Sequence, residues 1–397
     1  MKPGSFDARL QQRRSEGLFR DRLTLATPQS IEVRDNSGGK YLSFCSNDYL
    51  GLANDGRVVA ALKQGADVWG AGSGASHLIS GHSMPHAQLE QELAEFVGAP
   101  RALLFSTGYM ANLAVGSVFA QRREMIWEDR LNHASLLDAG LLSRCDMQRY
   151  AHCDVAALRG SIETSNTPCA LIMSDAVFSM DGDLAPVPEL LELAREQDAV
   201  LYLDDAHGFG VLGADGRGSL EHHKVAANGS LLLMATLGKA LGTFGAFVAG
   251  DSDPIEMLIQ FGRTYIYTTA PPPALAQATR AALRVIIEEP ERRQQLHART
   301  KQFRAGAAEL GLPILDSSTP IQPLLLRDSE LAVTVAADLR QRGILVTAIR
   351  PPTVAQGSAR LRITFCAQHS KRHVEILLDA LDAVVPEALR GQLSAHA

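Results

Sequence analysis

Four short runs govern what this chain can fold into: Ala102-Leu103-Leu104-Phe105, Ala170-Leu171-Ile172-Met173, Val200-Leu201-Tyr202-Leu203 and Leu231-Leu232-Leu233-Met234. Each is apolar throughout, and helical stretches separate them. A strand without a polar side is buried on both faces, which points to an α/β fold with a mostly parallel central sheet covered by helices. Ligands of such sheets sit outside the carboxyl ends of the strands, so the residues after each run are the ones to read for chemistry. With 397 residues, 46% of them hydrophobic, the chain can bury a large core and is long enough for more than one domain. Its pattern divides into an N-terminal helix and hairpin arm over 1–45, a large domain over 46–285 and a smaller α/β C-terminal domain over 286–397.

Charge and cysteine usage narrow the function. A formal charge of -6, with both signs interspersed, carries no basic footprint for nucleic acid, so small molecules are the expected partners. The five cysteines, Cys45, Cys145, Cys153, Cys169 and Cys366, form no C-x-x-C pair and suggest neither a disulfide framework nor structural zinc. A charged N-terminal stretch (Arg9, Arg13, Arg14, Glu16) without an apolar signal core, and no run of membrane-spanning length, give a cytoplasmic, membrane-free expectation.

Before the first run, Phe6, Leu10, Leu18 and Phe19 among arginines predict an amphipathic helix and turn over 5–25. Runs 31–34 and 41–44 around Asn36-Ser37-Gly38-Gly39 predict a hairpin, followed by an ordered polar loop from Ser46 to Leu52. The glycine-rich segment 70–81 follows no clear strand, so it reads as a loop near a ligand rather than a dinucleotide fingerprint. His82 and His86 lie four apart, but Pro85 between them argues against a helical metal pair. Leu89, Leu93 and Phe96 among glutamates predict an amphipathic helix from 86 to 96.

After the first run come Ser106-Thr107-Gly108-Tyr109 and a helical stretch from Met110 to Phe119, a phosphate-binding helix start freed by Gly108. The second run leads to Phe178-Ser179-Met180-Asp181-Gly182-Asp183, the third to Asp204-Asp205-Ala206-His207, and the fourth to Thr236 and Lys239. Alone, Asp204 reads as a cap, His207 as a satisfied loop histidine, Ser179 as a turn residue and Lys239 as a surface lysine. Asp204 and His207 as metal ligands lack a third partner at suitable spacing. Together the residues supply what pyridoxal phosphate needs: a lysine for a Schiff base, a carboxylate to keep the pyridine nitrogen protonated, hydroxyls and a histidine for its polar edge. An amine at the end of an apolar run loses solvation in its charged form and becomes a usable nucleophile. His133, in the loop after Met125-Ile126-Trp127, can stack on the pyridine face or bond the substrate.

The strings SNDYLGL, GSGASHLISG, FSTGYMAN, DRLNHASL, FSMDGD, DDAHGFGVLG, GRGSL and LGKALG, in this order over roughly 40–370, resemble the α-oxoamine synthases, the acyl-CoA-dependent branch of the fold type I pyridoxal phosphate enzymes. The resemblance implies an aspartate aminotransferase-like fold whose large domain binds pyridoxal 5'-phosphate. It implies that Lys239 is the Schiff-base lysine, Asp204 the pyridinium partner, and His133, Ser179, His207, Thr236, Gly108 and Tyr109 cofactor contacts. It further implies a homodimer with active sites at the interface, Tyr267-Thr268-Thr269 reaching the partner's phosphate site. Ala348 to Thr353 and Arg360 to Thr364 resemble the pimeloyl-using members, which form a biotin precursor from L-alanine and pimeloyl-CoA or pimeloyl-acyl carrier protein.

By the same resemblance Arg20, His133, Arg350 and Thr353 contact substrate, Arg350 meeting a distal carboxylate, and Arg362 binds the amino acid carboxylate. His77 stands where many members carry arginine, which bears on the acyl substrate and not on the cofactor. The alternatives are another member of the branch, such as a glycine C-acetyltransferase or a synthase of long-chain aminoketones, and a non-catalytic protein of the same fold. Further on, a helix from Ala274 toward Ile287, strands at 344–346 and 361–363 and a frayed end at His396 and Ala397 complete the expectation.

Overall fold

The computed structural model describes residues 5–16 and 18–391, so the expected fraying of His396 and Ala397 lies outside the described residues. The first strands, β1 (Glu32–Arg34) and β2 (Lys40–Ser43), form the expected antiparallel hairpin. The N-terminal helix is shorter than its periodicity suggested, Ser5–Ser15, and leaves Phe6 and Leu10 about half exposed.

A seven-stranded sheet forms the centre. Its strands are β3 (Arg101–Phe105), β4 (Met125–Asp129), β5 (Asp146–Tyr150), β6 (Cys169–Asp175), β7 (Val200–Asp204), β8 (Leu231–Thr236) and β9 (Ala246–Gly250), in the order β3-β9-β8-β7-β6-β4-β5. The pairs β4–β5, β4–β6, β6–β7 and β7–β8 are parallel, and only β9 runs against its neighbours. This is the mostly parallel sheet that the apolar runs required. Alternate residues serve opposite faces: Leu201, Leu203, Leu231 and Leu233 pack on one side, Tyr202, Leu232 and Met234 on the other. Each of these leucines is buried and contributes about 1.5–3 kcal/mol on leaving water.

The C-terminal region adds β10 (Ile321–Arg327), β11 (Ile344–Leu345), β12 (Thr347–Ile349) and β13 (Ala359–Thr364). The two strands expected there belong to different sheets. Ile344–Leu345 pairs in parallel with β2, whereas β13 lies between β10 and β12 in a second three-stranded sheet. A single residue, Val346, carries the chain from one sheet to the other. No described helix is long and apolar enough to cross a membrane.

Candidate active site

Parallel strands deliver their last residues to one edge. In register, Asp175 of β6 lies beside Asp204 of β7, and Asp204 beside Met234 of β8, two residues before Thr236. Asp204 is buried, its Oδ2 accepting from the Asn112 amide at 3.0 Å and its Oδ1 from the Ala206 N–H at 3.1 Å. Asn112 is itself held by Tyr202, whose hydroxyl donates to its Oδ1 at 2.7 Å, and it also donates to Ser135 Oγ at 2.7 Å. That serine lies 2.7 Å from His133 Nδ1. One polar chain thus runs from Asp204 to His133, fixing the ring while leaving the residue exposed to a ligand.

The backbone of His133 is tied down too, its N–H donating to Asp175 at 2.8 Å. Burial raises the Asp175 carboxyl well above its ordinary value, reinforced by the neighbouring charge of Asp204. Lys239 follows β8 on a turn closed by Gly242 N–H to Lys239 O at 2.9 Å. Burial lowers its ammonium, with Asp204 and Asp175 pulling the other way, so an amine able to lose its proton stands among carboxylates. His207 is buried and its imidazole is pushed well down, first by burial and then by the Lys239 charge. Tyr49 hydroxyl lies 2.7 Å from its Nδ1.

Thr107 caps the helix Gly108–Val118, its hydroxyl accepting from Met110 N–H at 3.1 Å. The first N–H groups of a helix lack intrahelical acceptors and face an anion well. A Cβ on Gly108 would stand 2.8 Å from Thr236 Cγ2, so glycine lets the helix start close on β8. Thr236 Oγ1 is buried with no hydrogen-bond partner among the described residues, so the hydroxyl is available to a ligand.

Arg362 of β13 reaches the same cluster of loops. Its Nε donates to Ser179 O at 2.5 Å and its Nη1 to Asn47 Oδ1 at 3.1 Å. Arg360, two residues earlier on β13, pairs with Asp181. Arg350, Thr353 and Arg20 form an outer group. Arg350 follows β12, which pairs with β13, and its Nη2 reaches Phe19 O at 3.4 Å, beside Arg20. Arg20 and Thr353 are exposed. The Tyr109 hydroxyl donates to Asp138, and Tyr267 is 72% exposed under the Arg263 guanidinium.

The sequence reading passed over Asn47, Tyr49, Asn112, Ser135, Asp175 and Arg360. The density of polar side chains in 46–52 was the signal for the first two; the position of Asp175 at a strand end, level with Asp204, was the signal for that residue. His82 and His86, which Pro85 argued against as a helical metal pair, come together with His77 in a cluster. His77, His82 and His86 have ring centroids 5.1 to 5.6 Å apart. Both His86 nitrogens are taken, Nδ1 by the Ser83 N–H and Nε2 by Pro271 O, as the ring caps the helix Met84–Val97.

Comparison with known proteins places this geometry in a family. Residues 39–381 match the family described as aminotransferase class I and II. An 8-amino-7-oxononanoate synthase of Methylococcus capsulatus is 54% identical over 374 residues, covering 94% of this chain and 96% of that protein. Among solved structures, 8-amino-7-oxononanoate synthase from Francisella tularensis shares 30% identity at a TM-score of 0.76, covering 86% of this chain and 97% of that one. A serine palmitoyltransferase from S. paucimobilis with bound PLP superposes at a TM-score of 0.89 with 27% identity, covering 96% of each chain. The chain belongs to the 8-amino-7-oxononanoate synthases, within the aminotransferase class I and II family.

Proposed function

We propose that this protein is a pyridoxal phosphate-dependent acyltransferase that condenses L-alanine with a pimeloyl thioester to 8-amino-7-oxononanoate, a step of biotin biosynthesis. The single observation that carries the reading is the joint presence, at neighbouring strand ends, of a lysine with a lowered pKa, a buried carboxylate and a buried unpartnered hydroxyl beside a glycine-opened helix start. These residues fit the cofactor. Thr236 and the N–H groups of Gly108 and Tyr109 would hold its phosphate, Asp204 its ring nitrogen, His207 and Ser179 its polar edge, and His133 a ring face. When bound, the cofactor supplies an aldehyde carbon and a ring that takes up electron density.

The chain's own residues do the rest. Lys239 Nζ is both nucleophile and, once released, the base that takes the proton from alanine Cα; its lowered pKa suits both tasks. Asp204, oriented by Asn112, keeps a proton on the ring nitrogen. Arg362, steadied by Ser179 O and Asn47, binds the alanine carboxylate, while Arg350, Thr353 and Arg20 receive the acyl chain's far end. A carbon–carbon bond forms between alanine Cα and the thioester carbonyl, the C–S bond breaks to give the free thiol carrier, the carboxylate leaves as carbon dioxide, and Cα takes back a proton in its place. Either pimeloyl-CoA or pimeloyl-acyl carrier protein satisfies this chemistry.

The homodimer belongs to the same proposal. Leu78 and Ile79 are exposed on the turn His77–Gly81, next to exposed Tyr267, and the two segments meet where His77 stacks on Tyr265. Apolar groups presented together in this way suit a second copy of the chain. A panel crossing alanine, glycine and serine with pimeloyl-CoA and acetyl-CoA, read by product mass, tests the reading. Product from alanine and pimeloyl-CoA is expected; product from glycine and acetyl-CoA alone would move the protein to a sister activity.

A further inference from the structure

One imidazole spans the two loops that carry His133 and Ser179. His152 follows β5, and its Nδ1 lies 3.0 Å from Asp129 Oδ1 while its Nε2 lies 2.7 Å from Asp183 Oδ2. Two carboxylates call for two N–H donors, and only the imidazolium has them. Burial opposes the charge, but hydrogen bonds to Asp129, Asp183 and Cys153 outweigh it and push the imidazole up to about 12. With both nitrogens protonated, the ring has no lone pair for a metal, although Asp129 and Cys153 stand close enough to join one. Its ring stands perpendicular to that of Phe178, centroids 4.4 Å apart.

Each carboxylate anchors one side of the site. Asp129 ends β4, and its two oxygens also take the N–H groups of Leu131 and Cys153. The Asn132 N–H bonds Asp129 O, and the Asn132 side chain accepts from Asp175 N–H at 2.9 Å; His133 is the next residue. Asp183 closes the other loop, where Phe178 N–H bonds Asp183 O and Gly182 N–H bonds Phe178 O. Inside that loop Ser179 O receives Arg362, and Asp181 receives Arg360.

We propose that His152 is a positioning residue, a cationic brace between Asp129 and Asp183 that fixes the spacing of His133 and Ser179 and, through Ser179, the seat of Arg362. The inference rests on the cofactor and amino acid reading above. Besides the two carboxylates, the groups facing the ring are Cys153 and Phe178, with Tyr150 two residues before it; burial raises that phenol well above its ordinary value.

Two measurements on the parent and on His152→Gln, Asp183→Asn and the double variant test it. The first is 15N-histidine NMR of the cofactor-loaded parent at pH 8, where both His152 nitrogens are expected to be protonated; a neutral ring would overturn the brace. The second is cofactor affinity together with the KM and kcat for the amino acid. His152→Gln leaves its amide oxygen facing a carboxylate, and both affinities are expected to weaken about tenfold, the scale of one lost hydrogen bond to a charged group. The double variant gives that oxygen an amide partner, so its affinities are expected to return most of the way to the parent's. Unchanged affinities in His152→Gln, or no recovery in the double variant, would overturn the proposal. If Gln at 152 prevents folding, Asp183→Asn alone is expected to weaken both affinities several-fold while keeping the ring, and a silent Asp183→Asn would count against it. Should the parent use a different amino acid, the substrate reading falls, while the NMR and cofactor affinity still judge the brace.

Discussion

At the scale of single residues the account turns on Lys239. Replacing it with alanine is expected to lower turnover by about 10²–10⁴-fold or more, the range for removing a positioned base, because the proposed nucleophile and the proposed base are one group. Steady-state product assays at saturating substrate check it, and turnover within tenfold of the parent would remove Lys239 from the chemistry. Tyr49→Phe tests the support beneath His207. It strips the hydroxyl 2.7 Å from a buried imidazole nitrogen and should cost about 1–3 kcal/mol in urea unfolding, the penalty of an unmet buried polar atom. Lys239, Asp204 and Thr236 were legible in the sequence because each follows an apolar run within a few residues. Asn112 and Tyr49 were not, since the groups they hold lie 92 and 158 positions away and only the closed fold brings them together.

At the scale of elements, the start of the helix Gly108–Val118 is the most exacting. Gly108→Ala puts a methyl 2.8 Å from Thr236 Cγ2, tighter than side chains accept, so helix start and strand end must shift apart there. An affinity for pyridoxal phosphate weaker by about tenfold is expected from equilibrium titration, since displacing anion donors removes more than one charge-assisted bond. Unchanged affinity would place the phosphate elsewhere. The same strand logic made four strands of the large sheet readable in advance. It passed over β5, Asp146–Tyr150, whose polar residues sit on an exposed sheet edge, and β9, Ala246–Gly250, whose small residues follow the glycines at 238, 242 and 245 and carry little strand signal. The crossing of Ile344–Leu345 to the N-terminal hairpin was equally hidden, because a two-residue strand has no periodicity to read.

At the scale of the whole molecule, the N-terminal hairpin and the C-terminal sheet are fastened by His369. Its Nδ1 accepts from Cys366 N–H and its Nε2 donates to Ser43 O at 3.0 Å, an arrangement only the neutral ring can make. Burial holds its pKa down to about 4, partly offset by the bond to Ser43. The unfolded chain, titrating near 6.5, binds the proton first. This contribution is therefore present above about pH 6.5 and lost as pH falls toward 4, on the order of 3 kcal/mol in all. Urea midpoints between pH 7.5 and 4 should fall accordingly, and His369→Gln should flatten that slope; an equally steep slope would assign acid sensitivity to other groups. The assembly of strand ends into one site was anticipated from the sheet type, whereas its polar scaffold was not, because that scaffold is made between elements. The most direct measurement of the central claim is an absorbance titration of the cofactor-loaded protein with L-alanine and then pimeloyl-CoA. A spectral shift is expected on adding alanine, and a further transient change when the thioester arrives. A shift with glycine or serine but none with alanine would contradict it.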